Sequence, residues 1–149
     1  MGSILNDVDR TAIRQRIINL TSESSPRWGK MDVAAMLAHL KQSALMALGE
    51  LPVVNKGKRA FQVFPFKHLI LYVVPFPKGA PTAPELLVSD ATESFEAVRS
   101  ELVSLIERIG TGPREGYGPA HPLLGQLSFR EWGVATFKHT DHHLRQFGA

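Results

Sequence analysis

The spacing of apolar side chains along the chain predicts four helices, two of them in the N-terminal third. The first covers about residues 6–21, with Asn6 or Asp7 as its N-cap. The second covers about residues 30–48 and ends at Gly49. It is apolar nearly all round, which is typical of a helix enclosed by other helices. The apolar face of the first helix consists of Val8, Ile13, Ile17 and Leu20.

The other two predicted helices lie in the C-terminal half. The third covers about residues 90–109, is capped by Ser89 or Asp90, and ends at Gly110. The fourth follows Ser128, which forms a capping-box pattern with Glu131, and runs to about residue 147. The apolar stripe of the third helix consists of Phe95, Val98, Leu102, Leu105, Ile106 and Ile109.

Prolines interrupt the segment between the second and third predicted helices and exclude a long helix there. They are Pro52, Pro65, Pro75, Pro77, Pro81 and Pro84. The stretch FKHLILYVV allows a short helix, or a strand, since Val, Ile and Tyr favour strands. We expect the following PFPKGAPTAPE to form an extended crossover. TGPREGYGPAHP, before the fourth helix, predicts a loop.

Composition narrows the class of protein. With 149 residues and 44% hydrophobic positions, the chain fits one globular domain with a core. The net charge is +3 and the basic residues are scattered, so nothing favours a nucleic-acid partner. The longest apolar stretch, residues 69–76, is far shorter than the roughly 20 residues of a membrane span. Charges near the N-terminus differ from a signal peptide, and we expect a cytoplasmic location.

The chain contains no cysteine, which excludes disulfides, thiolate metal sites and cysteine nucleophiles. A metal ion would therefore need His, Asp or Glu. His139 and His143 are four residues apart near the end of the fourth helix, a spacing that lets both imidazoles reach one ion. Thr140 stands where a zinc peptidase has its glutamate base, so that activity is excluded. His142 is an alternative to His143 as the second ligand.

A third imidazole, His39, lies in the middle of the most apolar helix, where a polar ring needs partners for its nitrogens. One solution is a cation bound by three imidazoles; the alternatives are an ordinary buried histidine and a solvated histidine pair. By spacing, Gln42 and Gln146 are candidates to hold the ligand rings. Lys138, Asp141 and Arg145 are expected to be solvated. Weaker candidates to line a pocket are His121, Trp28 and Trp132, and the tryptophans are also typical core residues.

Three segments together resemble the DinB-like superfamily, in particular a branch of small bacterial proteins of unknown function. They are MLAHL in the second helix, HPLLGQLSFREW before and within the fourth, and KHTDHHLRQFG at its end. SSPRWGKM and PFPKGAPTAPEL extend the likeness, which has gaps in the first and third helices.

The resemblance implies an all-α fold, a four-helix bundle with a long connection between helices two and three. It implies that His39, His139 and His143 bind a divalent metal ion, nickel or zinc. The superfamily includes thiol S-transferases and a thiol-dependent isomerase, and many members form homodimers. We therefore expect a metal-dependent hydrolase or thiol transferase, acting on a small molecule with water or a low-molecular-weight thiol. The alternative is a non-catalytic bundle that binds a metal or a small molecule.

Overall fold

A computed structural model describes residues 1–52, 57–78 and 93–149, and the structural statements that follow concern these residues. They are mostly helical, with one small two-stranded sheet. A 3-10 turn, Arg59–Gln62, precedes a short helix, Phe66–His68, and a π-helical turn, Leu69–Val73, follows that helix directly. The remaining elements, in chain order, are α1 (Asp7–Ile18), α2 (Val33–Ala47), α3 (Phe66–His68), α4 (Phe95–Gly110), β1 (Tyr117–His121), β2 (Gly125–Ser128) and α5 (Phe129–Gln146).

Polar side chains cap the longer helices by accepting hydrogen bonds from their first backbone amides. Asn6 caps α1 as expected, and the predicted capping box of Ser128 and Glu131 begins α5. Asp32 caps α2, so that helix begins three residues later than the pattern predicts. The expected start of the third helix, with Ser89 or Asp90 as its cap, lies outside the described residues; within them, Ser94 caps α4.

The core lies where α1 and α2 pack against α4 and α5. Five of the six predicted stripe residues of α4 are buried, and the sixth, Phe95, packs partly buried against the core. The expected apolar face of α1 is wrong at Val8, which is 77% exposed. Val8 lies five positions before Ile13, so the two side chains point about 140° apart around the helix. Ile4 and Leu5, which precede the helix, are buried in its place.

The loop expected before α5 is instead an antiparallel hairpin of β1 and β2. The register is irregular between Tyr117 and Ala120, where Pro119 has no amide hydrogen to give to the ladder. A hairpin of two strands leaves each strand an unpaired edge, and a proline is tolerated there. Burial alternates along β2, where Leu127 is buried and Gln126 is exposed. The buried side chain of Leu127 packs the hairpin against the helices.

The stretch between Pro65 and Pro75 is helical, which confirms the short-helix alternative and excludes the strand. Lys138 of α5 was expected to be solvated, and this expectation is wrong. Its ammonium donates to the carbonyl oxygens of Ile70, Leu71 and Val74, at the end of the π-helical turn. These carbonyls lack partners within the short helix, and burial lowers the pKa of Lys138. Lys138 therefore fixes this segment to α5.

Within the described ranges, no helix combines the length and the apolar character needed to cross a membrane.

Candidate metal centre

The structure brings His39, His139 and His143 together. α2 supplies His39 and α5 supplies the other two, and their ring centroids lie 4.8 to 4.9 Å apart. Each ring offers one nitrogen such that the three nitrogens lie within 4.8 Å of one another. We call these three residues the imidazole cluster.

The helices create this convergence by simple spacing. On α5, Trp132, Thr136, His139 and His143 follow one another at intervals of four, three and four residues, so they share one face. That face packs against α2, where His39 is 5% exposed. His143 is also buried, and His139 is half-buried. The cluster is thus formed inside the contact between two rigid helices.

A short chain of hydrogen bonds orients His143. Its Nδ1 lies 2.8 Å from Oε1 of Gln146, and Nε2 of Gln146 donates to the carbonyl oxygen of Trp28 at 2.8 Å. A carbonyl oxygen only accepts, so the amide nitrogen of Gln146 must face Trp28 and its oxygen must face His143. Nδ1 of His143 is therefore the donor, and in the neutral ring Nε2 keeps its lone pair. Gln146, a candidate by spacing, thus forms a hydrogen bond to one ring of the cluster.

Two contacts orient His139. Its Nδ1 lies 3.0 Å from Oγ of Ser43, and its Nε2 lies 2.8 Å from Nε2 of His39. Two neutral imidazoles at that distance share one proton. A cation in the cluster needs a lone pair on both Nε2 atoms. The proton of neutral His139 is then on Nδ1, and Oγ of Ser43 can accept a hydrogen bond from that N–H.

Burial favours the neutral forms of two rings of the cluster, His139 and His143. Burial lowers the pKa of His143 to about 4, although its hydrogen bond to Gln146 acts in the opposite direction. Burial lowers the pKa of His139 well below its ordinary value, and the neighbouring imidazoles, first of all His39, oppose its protonation further. The two rings are uncharged at neutral pH, which is the form that binds metal ions. The donor set thus fits a divalent cation.

His142 lies outside the cluster, next to it. Its ring centroid is 5.2 Å from that of His143, 4.8 Å from that of Phe76 and 6.0 Å from that of Trp28. The group of nitrogens close enough for one cation contains His143 and does not include His142. Phe76 also stacks on His139, with the ring planes 17° apart. Trp28 and Phe76 therefore cover one side of the site.

His121 and Trp132 occupy the hairpin end of the site. Their ring centroids are 5.3 Å apart, and Trp132 donates its indole N–H to the carbonyl oxygen of Pro119. Nδ1 of His121 accepts from the backbone amides of Leu123 and Leu124, so its proton is on Nε2. Burial lowers the pKa of His121 to about 4, and a proton on this ring would oppose protonation of His139. His121 is a neutral ring with an N–H to donate.

Sequence reasoning missed several residues around the cluster. Gln42 is half-buried and has no hydrogen bond to the cluster among the described residues, whereas the adjacent Ser43 does. Ser43 lies four positions after His39 on the same helix face, and that spacing was the available signal. Phe76 and Lys78 lie in an irregular segment, where no periodicity indicates which side chains turn inward.

No family model, no curated protein and no solved structure matches the chain.

Proposed function

We propose that this chain is a metal-binding protein of the DinB-like superfamily, with a four-helix bundle in which His39, His139 and His143 bind one divalent cation. Nickel and zinc are the ions we expect. The observation that carries the proposal is the convergence of three ring nitrogens within 4.8 Å, on two rigid helices. The likeness of MLAHL and KHTDHHLRQFG to that superfamily supports it.

We propose further that the protein is an enzyme, a hydrolase or a thiol S-transferase. The cation would act as a Lewis acid and lower the pKa of a water or a low-molecular-weight thiol towards neutrality. Three protein ligands are typical of catalytic zinc sites, whereas structural sites have four. Within the described residues, the group that could hold one ion contains only the three histidines.

The surrounding side chains have separate tasks in this proposal. Gln146 holds His143 with its Nε2 lone pair available, and Ser43 accepts from Nδ1 of His139. Phe76 stacks on His139 and shields it from water. His121, neutral and protonated on Nε2, can donate a hydrogen bond to an oxygen of the substrate but cannot act as a base at that nitrogen.

Elemental analysis of tag-free protein tests the proposal. We expect about one equivalent of nickel or zinc in the wild type and its loss in both His39→Ala and His139→Ala. His68→Ala is the matched control, because His68 is exposed and lies outside the imidazole cluster. Circular dichroism shows whether each variant is folded. Metal retained in both cluster variants, or lost equally in the control, would refute the assignment.

A further inference from the structure

Four side chains form a second group beside the imidazole cluster: Trp28, Phe76, Lys78 and His142. We call them the rim cluster. Phe76 and Trp28 both contact the ring of His142, at 4.8 and 6.0 Å between centroids. The ring centroid of His142 lies 5.2 Å from that of His143, and the ring centroid of Phe76 lies 5.3 Å from that of His139. The rim cluster is therefore continuous with the candidate metal ligands.

Lys78 gives the rim cluster a fixed positive charge. Its Nζ lies 4.4 Å from the centroid of the Trp28 ring, a distance at which the ring face attracts an ammonium. Lys78 is exposed, and no carboxylate of the described residues lies within 4.0 Å of its Nζ. The indole thus holds the ammonium in place without neutralising it, and its N–H groups remain available to a ligand.

The carboxylate of Asp141, the residue before His142, is already paired with other cations. It forms ion pairs with Arg16 at 2.7 Å and Arg145 at 2.9 Å. Two guanidinium groups therefore balance one carboxylate. Burial, and to a smaller extent the charge of Lys78, lower the pKa of His142, while the carboxylate of Asp141 acts in the opposite direction. Lys78, Arg16 and Arg145 outnumber the single carboxylate of Asp141 among these groups, and a divalent cation in the imidazole cluster would add to the positive charge.

We propose that the rim cluster binds the carboxylate of a small substrate whose reactive group lies at the imidazole cluster. The inference rests on the proposed function, because it assumes a cation bound by His39, His139 and His143. One ammonium with one charge matches a monoanion. Trp28 and Phe76 are each only partly buried, so apolar ring surface beside Lys78 remains for a short apolar stem. The substrate class is a short-chain carboxylic acid with a thiol or a cleavable bond at its far end.

Two thiols of similar length test the inference by binding alone. They are 3-mercaptopropionate, which carries a carboxylate, and 3-mercapto-1-propanol, which is neutral. Each is titrated into the nickel-loaded full chain, and the thiolate-to-nickel charge-transfer band gives an apparent dissociation constant. We expect Lys78→Met to weaken binding of the carboxylate about three- to tenfold and to leave the neutral thiol within about twofold. Methionine keeps an apolar stem over Trp28 and removes only the charge.

Two further variants separate charge at this position from general effects. Lys78→Arg keeps the charge and should restore most of the affinity for 3-mercaptopropionate. Lys58→Met removes a charge from an exposed lysine outside the rim cluster and should change neither constant. Equal weakening of both thiols by Lys78→Met, or no change for either, overturns the inference.

The same titration distinguishes this inference from the proposed function. A chain that takes up neither nickel nor zinc refutes both. A nickel-loaded wild type that gives no band with either thiol overturns the inference while leaving metal binding intact. If both thiols give a band but neither dissociation constant changes in Lys78→Met, the rim cluster does not bind the carboxylate, and the proposed function still stands.

Discussion

Replacing Gln146 with leucine tests whether the imidazole cluster is built to bind a metal ion. Gln146 accepts from Nδ1 of His143 and donates to the carbonyl oxygen of Trp28, both at 2.8 Å. Leucine has nearly the same volume and can do neither. Because Gln146 is 6% exposed, water has little access to the group left without a partner.

The expected loss of metal affinity follows from the role of the hydrogen bond. The Nδ1–H of His143 must be held so that Nε2 faces the other two rings. Groups that hold a ligand histidine in this way typically contribute 10- to 100-fold to metal affinity, about 1.4 to 2.7 kcal/mol. The metal-free fold should also lose about 1 to 3 kcal/mol, since a buried N–H is left unsatisfied.

Competition with a chromophoric chelator measures the zinc affinity, and thermal unfolding with and without zinc separates the two effects. Gln42→Leu is the matched control, because Gln42 is half-buried on α2 and makes no hydrogen bond to the cluster among the described residues. Its affinity should stay within about twofold of the wild type. If Gln146→Leu binds zinc as tightly as the wild type, or if Gln42→Leu loses as much, the reasoning about His143 is refuted.

Two other predictions concern stability. Burial lowers the pKa of His143 to about 4 in the fold, so protonation favours the unfolded chain. The metal-free protein should lose stability as the pH falls from about 6.5 towards 4, while His143→Gln, in thermal melts across that range, should show a shallower loss. Lys138→Met leaves the carbonyls of Ile70, Leu71 and Val74 without their donor, and should speed hydrogen exchange at residues 69–74 with little change at α1. Unchanged exchange there would show that Lys138 does not fix the π-helical turn.

Local sequence patterns predicted the helices well because caps and apolar stripes depend on residues only a few positions apart. Asn6 and the capping box of Ser128 and Glu131 act on amides two or three positions away, and the α4 stripe is a matter of helical period. The spacing of His139 and His143 belongs to the same class, since four residues place two side chains on one helix face. The sequence also suggested Gln146 as a partner of a ligand ring, and in the structure its Oε1 lies 2.8 Å from Nδ1 of His143.

The errors fall where a distant element decides the conformation. β1 consists of the five residues Tyr117–His121, which include Pro119 and show no clear alternation of burial. The hairpin forms because Leu124 and Leu127 are buried against the helices. Lys138 was expected in solvent because nothing near it in the sequence indicates that the π-helical turn ends beside it. Gln42 and Ser43 are adjacent, and only the position of His139 decides which of them makes the hydrogen bond.

The sequence alone determined the helices, most of their caps and the face that carries two of the three imidazoles, because these depend on interactions within a few residues. Only the tertiary structure decided that His39, a hundred positions away, meets His139, and that Trp28 and Lys78 lie beside them. The physical reason is that such contacts follow from how helices and irregular segments pack. Packing is the sum of many weak apolar contacts over the whole core, and no local pattern records it.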